Sequence, residues 1–159
     1  MNTITSKIIT KSKFQISVGI LNNHDVIRYN VFCMILTVIL IVDDARFMRT
    51  MLKNILESAQ LSTNIVEAID HTSAIEMYNK VKPELVTMDI NLPHTDGITC
   101  MKEILKINPH AKVLMVSAIE QKSVIDDAIN SGAIGYIKKP FEKNNVISTV
   151  KELLNSQIC

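Results

Sequence analysis

The sequence predicts an α/β protein: a doubly wound sheet of five parallel strands with helices on both faces. Three observations carry that prediction. Strand-like and helix-like apolar patterns alternate five times from Met34 onward. The first strand, "TVILIV" (37–42), is a continuous apolar run, as expected of a central strand covered on both faces. Acidic, hydroxyl and basic residues recur just past the strand ends, where open parallel sheets hold their ligands.

Each element has its own signal. The apolar run from Val31 to Val42 is 12 residues long, whereas a spanning helix needs about 20. It ends in Asp43 and Asp44 instead of the small-residue site that follows a signal peptide. Its Val/Ile-rich end therefore reads as a strand. Met48, Met51, Leu52, Ile55, Leu56 and Ala59 follow with helical spacing, and the methionines read as core or rim packing. "NIVEAI" (64–69) is a second, weaker strand. Ala74, Ile75, Tyr78 and Val81 make a helix face that stops before Pro83. "ELVTM" (84–88) is the third strand, followed by the loop "DINLPHTDG". Ile98, Met101 and Leu105 mark a helix ending near Asn108. "KVLMVSA" (112–118) is the fourth strand. Ile125, Ala128 and Ile129 mark the fourth helix, with Gly132 as its cap. "AIGYI" (133–137) is the fifth strand, and Val146, Val150, Leu153 and Leu154 line the last helix.

Composition narrows the function classes. Apolar residues make up 47% of the 159, enough for a core. A domain of about 125 residues buries roughly two-thirds of the surface its unfolded chain exposes. The net charge of +1 gives no basic field for nucleic acid. Lys7, Lys11, Lys13 and Arg28 against Asp25 leave residues 1–33 at +3 and the remainder at −2. Residues 1–36 are expected to be a flexible or poorly structured extension, in which "QISVGIL" is strand-like but has no obvious partner. Met34 is a candidate start for a shorter product, because the organised pattern begins there. Cys33, Cys100 and Cys159 have no metal-ligand spacing and read as free thiols of a reducing cytosol. His24, His71, His94 and His110 lie apart and read as surface residues.

The chemistry lies at the strand ends. Strand one ends in Asp43 and Asp44, strand three in Asp89 and strand four in Ser117, while Lys138, Lys139 and Pro140 follow strand five. With strand order 2-1-3-4-5 these ends converge on one shallow pocket. Alone, each residue has an ordinary reading: the aspartates as strand ends or helix caps, Ser117 as a loop hydroxyl, Tyr136 as a half-buried core aromatic, the lysines as solvated. Together they make a site. Three carboxylates at about 5 Å repel by roughly 3 kcal/mol per pair at an effective dielectric of about 20, so they call for a cation. Oxygen ligands in an open shell suit Mg²⁺, which keeps waters and accepts phosphate oxygens. Metal and ammonium together suit a moving phosphoryl group, and a carboxylate can become an acyl phosphate.

"ILIVDDARFMR", "LVTMDINLPHTDGI", "VLMVSA" and "GYIKKPF" resemble the receiver domains of two-component response regulators, in order and with the right spacing, over about residues 37–154. The resemblance implies the flavodoxin-like order 2-1-3-4-5 and a response regulatory domain over residues 37–159. It implies Asp89 as phosphoacceptor, with Asp44 on Mg²⁺ directly, Asp43 mainly through water, and the backbone carbonyl of Asn91 completing the protein ligands. Lys139, before a typically cis Pro140, would pair with the phosphoryl group. Ser117 would be the switch hydroxyl and Tyr136 the switch aromatic, repacking the surface of helix four, strand five and helix five. Ile90, Asn91, Ala118 and Ile119 would tune the lifetime of the phosphorylated form.

The implied partners are a histidine kinase as phosphodonor and a protein as output, since little chain follows the last strand. The detail is most similar to the stand-alone chemotaxis group, whose members bind the flagellar motor switch. A sporulation-type phosphorelay intermediate would pass its phosphate to a phosphotransferase instead, and an interaction protein localised or membrane-tethered by residues 1–36 is a third reading. The resemblance further implies a cytoplasmic monomer without a membrane span. Such a protein is no turnover enzyme and catalyses only its own phosphorylation and dephosphorylation.

Overall fold

A computed structural model describes residues 7–11, 14–18 and 37–155. The chain divides into two compact units, residues 1–33 and 34–159. In the first unit Lys7–Lys11 pairs antiparallel with Phe14–Val18, in a register that sets Ile9 opposite Ile16. This is the partner that the sequence pattern did not supply for "QISVGIL". Cys33, Met34 and Cys159 lie outside the described residues.

The second unit carries the predicted sheet. Its elements are β1 (Val38–Val42), α1 (Arg46–Ser58), β2 (Asn64–Ala68), α2 (His71–Val81), β3 (Leu85–Met88), α3 (Gly97–Ile107), β4 (Val113–Ser117), α4 (Lys122–Asn130), β5 (Gly135–Lys138) and α5 (Lys143–Asn155). All strand pairs are parallel, in the order β2-β1-β3-β4-β5. Alternate residues of the strands feed two separate cores. Leu40, Val42, Val86, Met88, Val113 and Met115 pack with Tyr78, Met101, Ile104 and Ala128 on the face of α2, α3 and α4. Ile39, Ile41, Leu85, Leu114, Val116 and Ile137 pack with Leu52, Ile55, Leu56, Val146 and Val150 of α1 and α5 on the other. The central strands β1, β3 and β4 are covered on both sides, which is why their sequences run apolar without alternation.

Local chemistry sets the helix ends. Asp70 caps α2 reciprocally with Ser73: its carboxylate accepts from Ser73 N at 2.8 Å, and Ser73 Oγ accepts from Asp70 N at 3.2 Å. Asp96 caps α3, accepting from Thr99 N at 2.9 Å. Gly132 closes α4 at φ 110°, a conformation that side chains resist, and a Cβ there would lie 2.6 Å from Leu105 Cδ1.

Two sequence expectations shift. The fifth strand starts at Gly135, because Ala133 N donates back to Ala128 O and keeps that residue in the helix closure. Ile129 is 43% exposed; the buried position of α4 is Ala128, with Val124 packed beside it. No helix among the described residues is long and apolar enough to cross a membrane.

Candidate functional site

The backbone ladder continues past the strands and carries the site residues to the rim of the sheet. Asp43 N donates to Ala68 O at 3.2 Å, Asp89 N to Val42 O at 2.9 Å, and Lys139 N to Ser117 O at 2.8 Å. Asp43, Asp89 and Lys139 lie two residues beyond Ile41, Thr87 and Ile137, so the pleat sends all three side chains to one face. The Lys139–Pro140 bond is cis, as the resemblance implied.

Charge is concentrated there. Lys139 Nζ donates to Asp43 Oδ2 and to Asp89 Oδ2, each at 2.6 Å. Carboxylate oxygens of Asp43, Asp44 and Asp89 lie within 4.8 Å of one another. Asp43 and Asp89 are buried and Asp44 is exposed. Burial pushes the Asp43 carboxyl above its ordinary value, against the pull of Lys139 and of Ala45 N, which donates to Oδ1 at 2.9 Å. Burial alone would lower the Lys139 ammonium, but its hydrogen bonds to Asp43 and then Asp89 outweigh that and hold it above its ordinary value. One ammonium thus serves two carboxylates, and the third accepts no hydrogen bond among the described residues. Hard oxygen donors with surplus negative charge, partly open to solvent, fit Mg²⁺. Asn91 lies beside them, its backbone N–H donating to Asp89 Oδ1 at 3.2 Å.

The two switch candidates are neighbours. Ser117 Oγ is fully buried with no hydrogen-bond partner among the described residues. Tyr136 OH donates to the Ile119 carbonyl at 2.8 Å, and the ring packs against the α2–α4 core. Burial pushes the phenol up; the Ser117 hydroxyl, near it but outside hydrogen-bond geometry, opposes this. The phenol is thus seated at the Ile119 carbonyl with its ring half-buried.

Other candidates fall elsewhere. Lys138 points away and pairs with Glu120 at 2.7 Å on the surface. His71 is not a plain surface residue: its Nε2 lies 2.7 Å from Glu103 Oε2, tying α2 to α3. Cys100 is a free, buried thiol that burial pushes up to about 12.

Sequence reasoning missed two residues that shape the site. A Cβ on Gly97 would lie 1.9 Å from Asp89 O, so only glycine lets α3 start against the Asp89–Ile90 backbone, where Gly97 N donates to Ile90 O at 2.8 Å. Arg49 reaches back from α1 to the carbonyls of Asp43 and Asp44. The glycine was visible in "HTDGI", but its contact is with a backbone; the arginine's partners are backbone oxygens too, which no side-chain pattern reveals.

Comparison with known proteins agrees with this geometry. The model of the response regulator receiver domain matches residues 39–151. The chain belongs to that family. As a receiver it is 45% identical over 117 residues to the chemotaxis protein CheY of Bacillus subtilis, covering 74% of this chain and 97% of the relative. The chemotaxis protein CheY of Thermotoga maritima is 43% identical over 115 residues, covering 72% and 95%. Among solved structures, a two-component response regulator from Clostridium difficile superposes with a TM-score of 0.72 at 28% identity, covering 77% of this chain and 99% of that one. The complex of CheX, CheY, beryllofluoride and Mg²⁺ from Borrelia burgdorferi gives 0.67 at 30% identity, covering 77% and 90%.

Proposed function

We propose that this CheY-like receiver accepts a phosphoryl group on Asp89 from the phosphohistidine of a partner kinase and signals by protein contact in chemotaxis. One observation carries the reading: a buried carboxylate at the end of β3 shares the Lys139 ammonium with Asp43, inside a cluster that includes Asp44. Asp43, Asp44, Asp89 and the Asn91 carbonyl would hold Mg²⁺, which when bound supplies positive charge beside the phosphoryl oxygens.

The chain's own residues do the rest. An Asp89 carboxylate oxygen forms a P–O bond as the donor's P–N bond breaks, and the electron pair of that bond stays with the departing imidazole. Lys139 pairs with the incoming dianion and holds the attacking carboxylate in place beforehand. Ser117, with no other partner among the described residues, donates its hydroxyl to a phosphoryl oxygen. That displacement reweights the seat of Tyr136 at the Ile119 carbonyl, a population shift that a partner reads on α4, β5 and α5. Water attacking phosphorus breaks the same P–O bond, releases inorganic phosphate and resets Asp89. The chain is thus its own substrate. The chemotaxis assignment is supported by relatives of that name matched over nearly their whole length, and a flagellar motor switch protein is the output partner it points to.

Incubation with acetyl phosphate tests the chemistry. The parent is expected to gain one phosphoryl group only when Mg²⁺ is present, and Asp89→Asn none. Equal labelling of both chains, or labelling indifferent to Mg²⁺, would overturn the reading.

A further inference from the structure

The acidic turn between β1 and α1 has little of its own to hold it. The residue that caps α1 is Ala45, which has no side-chain hydrogen bond to offer, and the helix has no acidic residue in its first turn. Asp43 Oδ1 accepts from Ala45 N, but that bond consumes one of the oxygens the site uses. Asp43 N also donates to Ala68 O and Lys139 Nζ to Asp43 Oδ2, neither of which involves Asp44, and a further grip on both residues comes from one turn further along. Arg49 Nη1 donates to Asp43 O at 2.9 Å and to Asp44 O at 3.1 Å, and its Nε donates to Glu67 Oε2 on β2 at 2.9 Å.

This guanidinium is not an ordinary surface ion pair. Its side chain is 11% exposed, against 34% for Glu67, so the fork is largely withdrawn from water. Exposed pairs contribute little because water and side-chain freedom compete with them. Here three acceptors lie in reach of one rigid planar group, which an ammonium could not span together. Glu67 also offsets the positive charge, with Lys53 Nζ 3.8 Å from its other oxygen. Arg49 can therefore sit behind the acidic turn without presenting a free cation to a bound metal.

We propose that Arg49 is a positioning residue for the cation site: by clamping the carbonyls of Asp43 and Asp44 and anchoring to Glu67, it aims both carboxylates at one ion. This rests on the reading of Asp43, Asp44 and Asp89 as the Mg²⁺ site. Arg49 acts through the backbone of two ligands and touches neither ion nor phosphoryl group. The same logic makes groups that orient metal ligands matter nearly as much as the ligands themselves.

A charge-only role has the opposite sign. Were Arg49 merely a nearby cation, its removal would tighten Mg²⁺ binding and Lys would replace it. Calorimetric titration of the full chain with Mg²⁺ alone, for the parent, Arg49→Ala and Arg49→Lys, separates the two, with thermal melts in EDTA alongside. The expected result is binding weakened about 10-fold or more in both variants, with a smaller Mg²⁺-induced rise in Tm. Should Arg49→Ala fail to fold, Arg49→Lys decides alone. Parental or tighter Mg²⁺ binding by Arg49→Ala, or restoration of parental binding by Arg49→Lys, overturns the role of Arg49 and leaves the site reading intact. A parent that binds no Mg²⁺ overturns the site reading first and this inference with it.

Discussion

Replacing Lys139 with Met removes the one cation that two buried carboxylates share, while keeping the length of the side chain. Both ion pairs measure 2.6 Å, and the side chains involved are 12%, 2% and 9% exposed, so solvent screens them little. Removing one partner of such a pair costs about 3–5 kcal/mol, because the remaining charge stays buried alone. Unfolding entropy near 2.1 cal/mol/K per residue, over about 125 residues, makes each kcal/mol worth about 4 °C. The metal-free variant should therefore melt about 12–20 °C below the parent at neutral pH. The loss should shrink in acid. The Asp43 carboxyl is already raised above 3.8 by burial, and Lys139 is the main group opposing that rise. Without the lysine the folded state holds the Asp43 proton still more tightly than the unfolded chain does. Stability is then greatest below the unfolded value and falls as pH climbs through the folded one. Circular dichroism melts in EDTA across a series from about pH 7 down to about pH 4 would show the variant recovering toward the parent as the pH falls toward 3.8. At one fixed Mg²⁺ concentration the variant should also be lifted more than the parent, since no ammonium competes for the carboxylates; at 100 times the variant's dissociation constant its own lift is about 2.7 kcal/mol. An unchanged melting temperature in EDTA, or a deficit that widens in acid, would refute this reasoning.

Three further outcomes are expected. Gly97→Ala should destabilise the chain by about 3 kcal/mol, the upper range for overpacking, and slow acetyl phosphate labelling as well, because the new Cβ meets Asp89 O; urea denaturation and labelling rates check the two halves. Thr87→Val removes a buried hydroxyl that has no hydrogen-bond partner among the described residues, so the unfolding free energy from urea titration should stay level or rise by about 1 kcal/mol, whereas a partnered hydroxyl would lose that much. Asp70→Ala should cost about 1 kcal/mol at neutral pH through loss of the α2 cap. Ser73 holds the Asp70 carboxyl below 3.8, so the gap between parent and variant should close as pH falls through and below that value, as melts across an acid series would show.

The sheet was legible because burial on both faces writes itself into composition. β1 is a continuous apolar run, β3 is broken only by Thr87 and β4 only by its terminal Ser117, and their ends could be located from the polar residues there. Site membership followed from topology: once strands 1, 3, 4 and 5 share one sheet, Asp43, Asp89, Ser117 and Lys139 must meet at one rim. Three kinds of feature stayed hidden. Arg49 and Gly97 act on backbone atoms, which carry no sequence identity. The fifth strand began late because a hydrogen bond from Ala133 to Ala128 closes the helix cap first. The pairing of Lys7–Lys11 with Phe14–Val18 joins strands whose residues show no alternation clear enough to set a register beforehand.

The central claim, that Asp89 becomes an acyl phosphate, has a direct chemical readout. Borohydride reduces an aspartyl phosphate to homoserine and leaves free carboxylates untouched. Treating the chain after acetyl phosphate and Mg²⁺, then sequencing its peptides by mass spectrometry, should find homoserine at position 89 alone. Homoserine at position 43 or 44, or none in a chain that has incorporated phosphate, would contradict it.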